Sequence, residues 1–222
     1  MSAPPSLLMP PPPPFNFDDA LPPMSLEMYA NDSHKDCVIA ARAHHTIRLA
    51  WDGVHPLLGI SDSDVTNQYY KETRGPDNGL DLKTSLDEWQ NSGWTIGLDP
   101  AMRKIASHSD SYSIDGGAFP GSDPTLVLNP QQLQARIFSS IGAQINLILP
   151  KGVSPDKSSS FGLGHPWQDA ANSDGELHVV LLTGYSADGF LGITWAQRQK
   201  ITWKFLQSNC WGVFFVEKGE TT

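Results

Sequence analysis

The chain has 222 residues, of which 39% are hydrophobic and 18% charged, with a formal net charge of −9 and a pI near 5.1. This length favours one domain with a buried core. The negative charge argues against a nucleic-acid or anionic-membrane partner, because phosphate binding needs clustered basic side chains. The longest apolar runs, such as residues 145–149 and 179–182, are far too short to span a bilayer.

The N-terminal residues 1–23 are rich in proline, with five in a row from Pro10 to Pro14. This composition favours an extended conformation, so we predict a flexible or loosely docked arm followed by one folded domain over residues 24–222. The arm lacks the basic start, apolar run and cleavage site of a secretory signal, and we expect a cytoplasmic location. In such a reducing compartment the two cysteines, Cys37 and Cys210, are not expected to form a disulfide.

Four helices are predicted from apolar periodicity and from capping residues at their starts. They cover residues 37–49, 61–71 and 83–90, and a segment that begins after Asn129 with Pro130 in the first position. The residues ahead of the first helix, Asn-Asp-Ser-His-Lys-Asp, are of types that cap helices and shape turns. Cys37 therefore lies at the start of a helix.

The last third of the chain is predicted to be rich in strands. A short strand near residues 125–128 and a strand over residues 143–150 precede a long polar loop at residues 151–175, and long loops are often functional. Four further strands are expected over residues 177–185, 190–196, 199–207 and 210–218, all in one antiparallel sheet. Helices first and a sheet last predict an α+β fold with a seam between the two halves.

Cys37 is a candidate nucleophile because the free amide groups and the dipole at a helix start favour a thiolate over a thiol. This position predicts reactivity near neutral pH. The alternative interpretation is a small buried side chain on a helix that faces the core. Cys210 precedes an apolar strand with no base nearby in sequence, and we interpret it as a packing residue.

His178 is the preferred partner base among the seven histidines, because it opens a predicted strand and so has a rigid mount. His165 is the main rival, although a loop histidine beside proline is more typical of a turn. His44 and His45 would form a metal site only with further ligands, and no second His or Cys pair has ligand spacing. We expect no metal and no cofactor.

Two segments carry a resemblance to a known family. The stretch NDSHKDC from Asn31 to Cys37, together with HVVLLTGY and a following strand that carries Trp195, resembles the papain-like cysteine peptidases. More closely it is similar to the peptidase C39-like group, from about Met28 to the end of the chain. The resemblance implies a papain-like α+β fold in which the nucleophile helix packs on the C-terminal sheet and the active site lies between them.

The resemblance also implies roles for individual residues. Asn31, six residues ahead of Cys37, would form an oxyanion hole together with the Cys37 backbone N–H, because such donors stabilise developing negative charge. The family orients its histidine with Asn or Asp on the next strand, but this sequence departs from that pattern. The role falls to Thr194, to a backbone carbonyl or to Gln197.

Three further residues complete the expected site. Trp195 would shield the Cys37–His178 pair from water, and with His165 and Asp36 it is expected to contact the substrate.

The expected reaction is attack of the Cys37 thiolate on a carbonyl, followed by a thioester and its release. Cleavage of a peptide or another amide is the leading prediction. Transfer of an acyl group from an amide or acyl substrate, as in an amide-forming biosynthetic enzyme, uses the same thioester and is the enzymatic alternative. A catalytically silent binding module is the third hypothesis, motivated by the missing Asn or Asp.

Overall fold

The computed structural model describes residues 13–97, 99–151, 153, 163–168 and 175–218, with the side chains of residues 99–102 excepted. Within these ranges the helices are α1 (Cys37–Ala50), α2 (Asp62–Thr73), α3 (Leu82–Asn91), α4 (Pro130–Ser139) and α5 (Trp203–Asn209). The strands are β1 (Phe15–Asn16), β2 (Trp94–Ile96), β3 (Asp99–Arg103), β4 (Ile105–His108), β5 (Ser113–Ile114), β6 (Val127–Leu128), β7 (Ala143–Leu149), β8 (Glu176–Ser186), β9 (Gly189–Thr194), β10 (Gln197–Ile201), β11 (Cys210–Phe214) and β12 (Val216–Lys218).

The four predicted helices are confirmed, and side-chain caps explain where three of them begin. Ser61 accepts a hydrogen bond from the Asp64 backbone N–H at the start of α2, and the Asp64 carboxylate accepts one from the Ser61 backbone N–H. Asn129 and Gln132 form the same pair of reciprocal hydrogen bonds, known as a capping box, at the start of α4. Asp81 caps α3 through the Thr84 backbone N–H. Each cap satisfies an amide that has no partner within its own helix.

The main sheet has the order β10-β9-β8-β7-β11, and every neighbouring pair in it is antiparallel. The long strand β8 is central, with β7 on one side and β9 on the other. Two of the strand predictions are corrected. Strand β12 pairs with β4 outside the main sheet, and the strand predicted over residues 199–207 ends at Ile201.

Helix α5 follows that strand because Thr202 supplies a cap. Its hydroxyl accepts a hydrogen bond from the Phe205 backbone N–H at 3.1 Å, which starts a helix among residues of high strand propensity.

Alternating residues of β8 place a hydrophobic cluster on each face of the sheet. Val179 and Leu181 face the cluster built with α1, α2 and α3, whereas Val180 and Leu182 face a second cluster that contains residues of α4 and α5. Helix α1 is buried from Val38 to Leu49, including its polar side chains. Helix α1 therefore packs on the sheet as a rigid unit, and the first residues of α1 lie beside the first residues of β8.

The C-terminal part of the arm, which was predicted to be flexible or loosely docked, is attached to the sheet. Strand β1 pairs with β8, with Phe15 opposite Tyr185 and Asn16 opposite Gly184. A Cβ on Gly184 would lie 2.4 Å from the Phe15 carbonyl oxygen, so this close approach requires glycine. Residues 1–12 lie outside the described residues, and the division of the chain at residue 24 stays a prediction.

A buried ion pair explains why this segment is held. The carboxylate of Asp18 lies 2.6 Å from Nη2 of Arg48 on α1 and 3.4 Å from Nε of Arg198 on β10. Asp18 is 6% exposed and Arg48 is fully buried. A charge removed from water needs a charged partner, so the segment is fixed to both the helix and the sheet.

None of the helices in the described ranges is both long enough and apolar enough to cross a membrane.

Candidate active site

Cys37 is the first residue of α1, and its side chain lies against β8. The backbone N–H of Val179 lies close enough to the thiol to lower its pKa. Part of Cys37 remains accessible to solvent. The structure therefore brings the predicted nucleophile to the residue that directly follows His178 in the chain.

The thiol of Cys37 is protonated in this environment. Burial raises its pKa to about 11, and the nearby Asp36 carboxylate acts in the same direction. The backbone N–H groups of Val179, Val38 and Cys37 lower the pKa, which is the effect predicted for a helix start, but burial outweighs them. In the resting protein burial therefore opposes the thiolate that the helix start favours.

His178 is held by contacts on the next strand. Its Nε2 lies 2.6 Å from the hydroxyl oxygen of Thr194 at the end of β9. Its ring stacks on the indole of Trp195, with centroids 4.4 Å apart and planes inclined by 27°. The residue is 6% exposed, and burial lowers the pKa of His178 to about 3. The imidazole is neutral at physiological pH.

Thr194 and Trp195 belong to a tight turn between β9 and β10. Thr194 pairs with Gln197, so Trp195 and Ala196 are the two residues of the turn. Their φ angles are +45° and +56°, a left-handed conformation that hairpin turns require. Asn and Gly adopt this conformation readily, whereas it costs other residues roughly 1–2 kcal/mol each. Strain of this kind persists where surrounding contacts fix the geometry.

Among the three predicted orienting groups, the structure brings the Thr194 hydroxyl to His178. The alternative side chain, Gln197, is exposed on the outer end of the hairpin.

Asn31 lies in the turn that leads to α1. The preceding residues Tyr29 and Ala30 have φ angles of +57° and +61°, and the Asn31 backbone N–H donates to the Met28 carbonyl at 3.2 Å. Asn31 is partly exposed. Its role in an oxyanion hole stays a prediction.

Asp36 is the residue where the structure departs most from the prediction. It is 0% exposed, so it cannot contact a substrate in this conformation. Its side chain makes no cap for α1, and no other residue of the described ranges donates a hydrogen bond to its carboxylate. Burial raises the pKa of Asp36 to about 7, with a smaller contribution from the charge of Asp77. Asp36 is a buried acid next to the nucleophile.

His165 lies on a short segment, residues 163–168, that runs beside β10. Its side chain is exposed, and its carbonyl accepts a hydrogen bond from Nε2 of Gln199 at 3.0 Å. The prediction that His165 contacts the substrate stays a prediction. Trp167 on the same segment is 4% exposed and lies 6.5 Å from Trp195 between ring centroids.

Sequence reasoning missed Trp167. The available signal was the single tryptophan in a loop composed mostly of small and polar residues.

His44 and His45 lie in the interior of the protein. Nε2 of His44 is 3.2 Å from the Glu27 carbonyl oxygen, and Nδ1 of His45 is 3.4 Å from the side-chain amide nitrogen of Gln144. Burial lowers the pKa of both rings to about 3. Within the part of the chain that the structure describes, no three His, Cys, Asp or Glu side chains group as a metal site.

Comparisons with known proteins rest on structure alone. No protein-family model and no curated protein sequence matches the chain. The cysteine protease CMS1MS2 of Carica candamarcensis, solved in complex with E-64, superposes with a TM-score of 0.62 and 14% identity, over 94% of this chain and 100% of that one. The chain has a papain-like fold.

A second papain-like structure agrees with this assignment. It comes from a study of antibody cross-reactivity between the mite allergens Blo t 1 and Der p 1, with a TM-score of 0.61 and 12% identity, over 93% of this chain and 71% of that one. At such identities the likeness concerns the fold. The activity must be argued from the residues of this chain.

Proposed function

We propose that the protein is a cysteine peptidase-like hydrolase that cleaves amide bonds through a thioester on Cys37. The observation that carries the proposal is the junction of α1 with β8. There the backbone N–H of Val179 acts on the thiol and lowers its pKa, and the preceding residue, His178, is fixed by Thr194 and Trp195. A thiol, an imidazole and a group that orients the imidazole are the parts that nucleophilic acyl chemistry requires.

His178 acts as a general base in this proposal. Because Nε2 is engaged by Thr194, Nε2–H donates to the hydroxyl and Nδ1 takes the thiol proton while sulfur attacks the carbonyl carbon. The tetrahedral intermediate expels an amine, which receives that proton, and leaves a thioester. Water then attacks the thioester with His178 again as base, which releases a carboxylic acid and restores the thiol.

Cys37 and His178 start this reaction in neutral forms. The pKa of the thiol, about 11, and that of the imidazole, about 3, make a preformed ion pair unfavourable. Proton transfer must therefore accompany attack. Thr194 is uncharged and stabilises the transient imidazolium less than a carboxylate would, so we expect a slower enzyme than one with a charged third residue.

The substrate in this proposal is a peptide or another amide. Asn31 and the Cys37 backbone N–H supply the oxyanion donors, as the resemblance to the peptidase C39-like group implies. An amine acceptor in place of water would give acyl transfer from the same thioester. Hydrolysis and transfer are separated by adding an amine and measuring whether the acid or the new amide forms.

One observation favours a second candidate function. A neutral thiol, together with a His178 whose hydrogen-bond partner in the described residues is the uncharged Thr194, is also what a catalytically silent papain-like binding module would show. In that case Cys37 is a core residue and the cleft binds without reaction.

Acylation by p-nitrophenyl acetate separates the two functions. We expect the intact mass to increase by one acetyl group at Cys37, with p-nitrophenolate release continuing as the thioester is hydrolysed. Between about pH 5 and 9 the rate should be nearly constant, because His178 stays unprotonated and Cys37 stays protonated across that range. In His178→Ala the rate should fall by roughly 10²–10⁴-fold at pH 7 and rise with the thiolate fraction as pH increases.

Cys210 provides the matched control. It is also a free cysteine, it is 1% exposed, and burial raises its pKa to about 12. Acylation should persist in Cys210→Ala and disappear in Cys37→Ala. An unchanged rate in His178→Ala would refute the general-base role. Absence of acylation at Cys37 under all conditions would establish the silent binding module.

Thr194→Val is expected to slow acylation of Cys37 about tenfold. Valine has nearly the shape of threonine but cannot accept the hydrogen bond from Nε2, and an unsatisfied buried N–H costs about 1–3 kcal/mol. Thr194→Ser keeps the hydroxyl and should retain most of the rate. Equal rates in the two variants would show that Thr194 does not orient His178. The measurement is the acylation rate by mass spectrometry at neutral pH.

A further inference from the structure

The Trp195–Ala196 turn needs an external support. Both residues have positive φ angles, yet neither is glycine or asparagine. The Trp195 indole nevertheless lies flat against the His178 ring. Because the local backbone does not favour this turn, contacts from elsewhere in the chain must hold the indole in place.

Trp167 lies where it can supply that support. Its ring meets the Trp195 indole edge to face, with centroids 6.5 Å apart and planes inclined by 74°. On another side it packs on Phe205 of α5, with centroids 5.4 Å apart. Aromatic pairs in these arrangements are favourable. Trp195 is thereby enclosed between His178 and Trp167.

The backbone of Trp167 is fixed as firmly as its ring. Its N–H donates to the Lys200 carbonyl at 2.9 Å, and its carbonyl accepts from the backbone N–H of Thr202 at 3.0 Å. The Thr202 hydroxyl donates to the same carbonyl at 3.1 Å. Trp167 also forms a parallel bridge with Ile201. A segment distant in sequence is therefore attached to β10 at the point where its indole reaches the turn.

We infer that Trp167 is a positioning residue of the active site, which holds the Trp195 indole against His178 and so fixes the imidazole plane and excludes water from it. This inference rests on the proposed role of His178 as base. In this role Trp167 acts through Trp195, and its segment extends the site beyond β8, β9 and α1.

Trp167 should therefore influence the pKa of His178. Burial is the cause of its low pKa, and the Trp195 indole covers one face of the ring. If Trp167 is shortened, the indole can move away, water can reach the imidazole and its pKa should rise toward the ordinary value of 6.5. The Nε2 contact with Thr194 should also become less well aligned.

The experiment compares Trp167→Leu with wild type by NMR titration of the His178 ring protons. In wild type the ring should remain neutral throughout the range from about pH 5 to 8, whereas in Trp167→Leu it should titrate within that range. Acylation of Cys37 should fall about tenfold and become dependent on pH. Trp167→Phe keeps the contact with Phe205 but shortens the reach toward Trp195, and it should shift both readouts in the same direction by a smaller amount.

Trp203→Leu is the matched control, because Trp203 begins α5 and packs on Phe190 at a centroid distance of 6.1 Å. It should leave the titration of His178 unchanged. If the Trp167 variants lower the melting temperature but leave the titration and the pH profile as in wild type, Trp167 is merely structural and the inference is overturned. Because the titration needs no activity, it decides the role of Trp167 even if Cys37 is never acylated.

Discussion

Replacing Glu72 with alanine is expected to lower the free energy of unfolding by about 3–5 kcal/mol. The Glu72 carboxylate lies on α2 and accepts a hydrogen bond from Nη1 of Arg42 on α1 at 2.7 Å. The two side chains are 5% and 1% exposed. Ser85 of α3 donates to the same carboxylate at 2.7 Å and accepts from Arg42. The ion pair therefore joins three helices, and its loss leaves a buried charge without its anion.

Chemical denaturation at neutral pH measures this effect, and two variants test its cause. Lys83→Ala removes an ion pair with Asp87 whose side chains are about half exposed, and it should cost less than about 1 kcal/mol. The double variant Arg42→Met with Glu72→Leu replaces both charges with apolar groups and should be more stable than Glu72→Ala alone. A double variant as unstable as the sum of its single changes would contradict the explanation.

The helices and most strands could be predicted because their signals are local. Ser61, Asp81 and Asn129 each cap a helix that begins at the next residue. The failures arise where a local pattern is short or misleading. Helix α5 has seven residues, too few to show a helical period, and its Trp and Phe favour strands. The attachment of the segment from Phe15 to Asp18 to the sheet was not predicted because the neighbouring prolines indicate an extended arm. An acidic residue beside aromatic residues was the one local feature that favoured attachment.

The candidate site could be predicted only in part. A cysteine at a helix start and a histidine at a strand start are visible in the sequence, whereas the resemblance to papain-like peptidases was needed to pair them. The ionisation states could not be predicted, because the pKa of Cys37 follows from how much burial opposes the helix N–H groups. That balance depends on how α1 packs against β8. The contact between Trp167 and Trp195 could not be predicted either, because the two residues lie far apart in the sequence and nothing near Trp167 indicates Trp195 as its partner.

Asp36 is expected to make the protein less stable as pH rises from about 4 to above 7, by on the order of 4 kcal/mol. The folded state raises the pKa of this carboxyl from 3.8 to about 7. Its contribution to stability is therefore fully present below the unfolded pKa and is lost as pH rises through the folded pKa. The reason is that burial disfavours the charged form, and no other residue of the described ranges donates to it.

Asp36→Asn removes this titration, so the difference in stability between variant and wild type isolates the Asp36 contribution from the opposing contributions of the buried histidines His44, His45 and His178. Unfolding by guanidinium at a series of pH values should show the variant to be more stable than wild type at about pH 8, where the wild-type carboxyl is mostly ionised. Asp32→Asn is the matched control, because it removes a charge at an exposed position in the same turn. It should keep most of the wild-type slope, since the Asp32 charge contributes less than burial to the raised pKa of Asp36. Identical slopes in wild type and Asp36→Asn would mean that Asp36 ionises freely.

The same variant should also change the nucleophile, because the Asp36 charge contributes to the raised pKa of Cys37. Without that charge the thiol should ionise at a lower pH, which is measured by the pH dependence of alkylation with iodoacetamide. Wild-type Asp36 would then oppose both folding and thiolate formation at alkaline pH. A buried acid beside the nucleophile thus makes its own contribution to stability largest on the acidic side of neutrality.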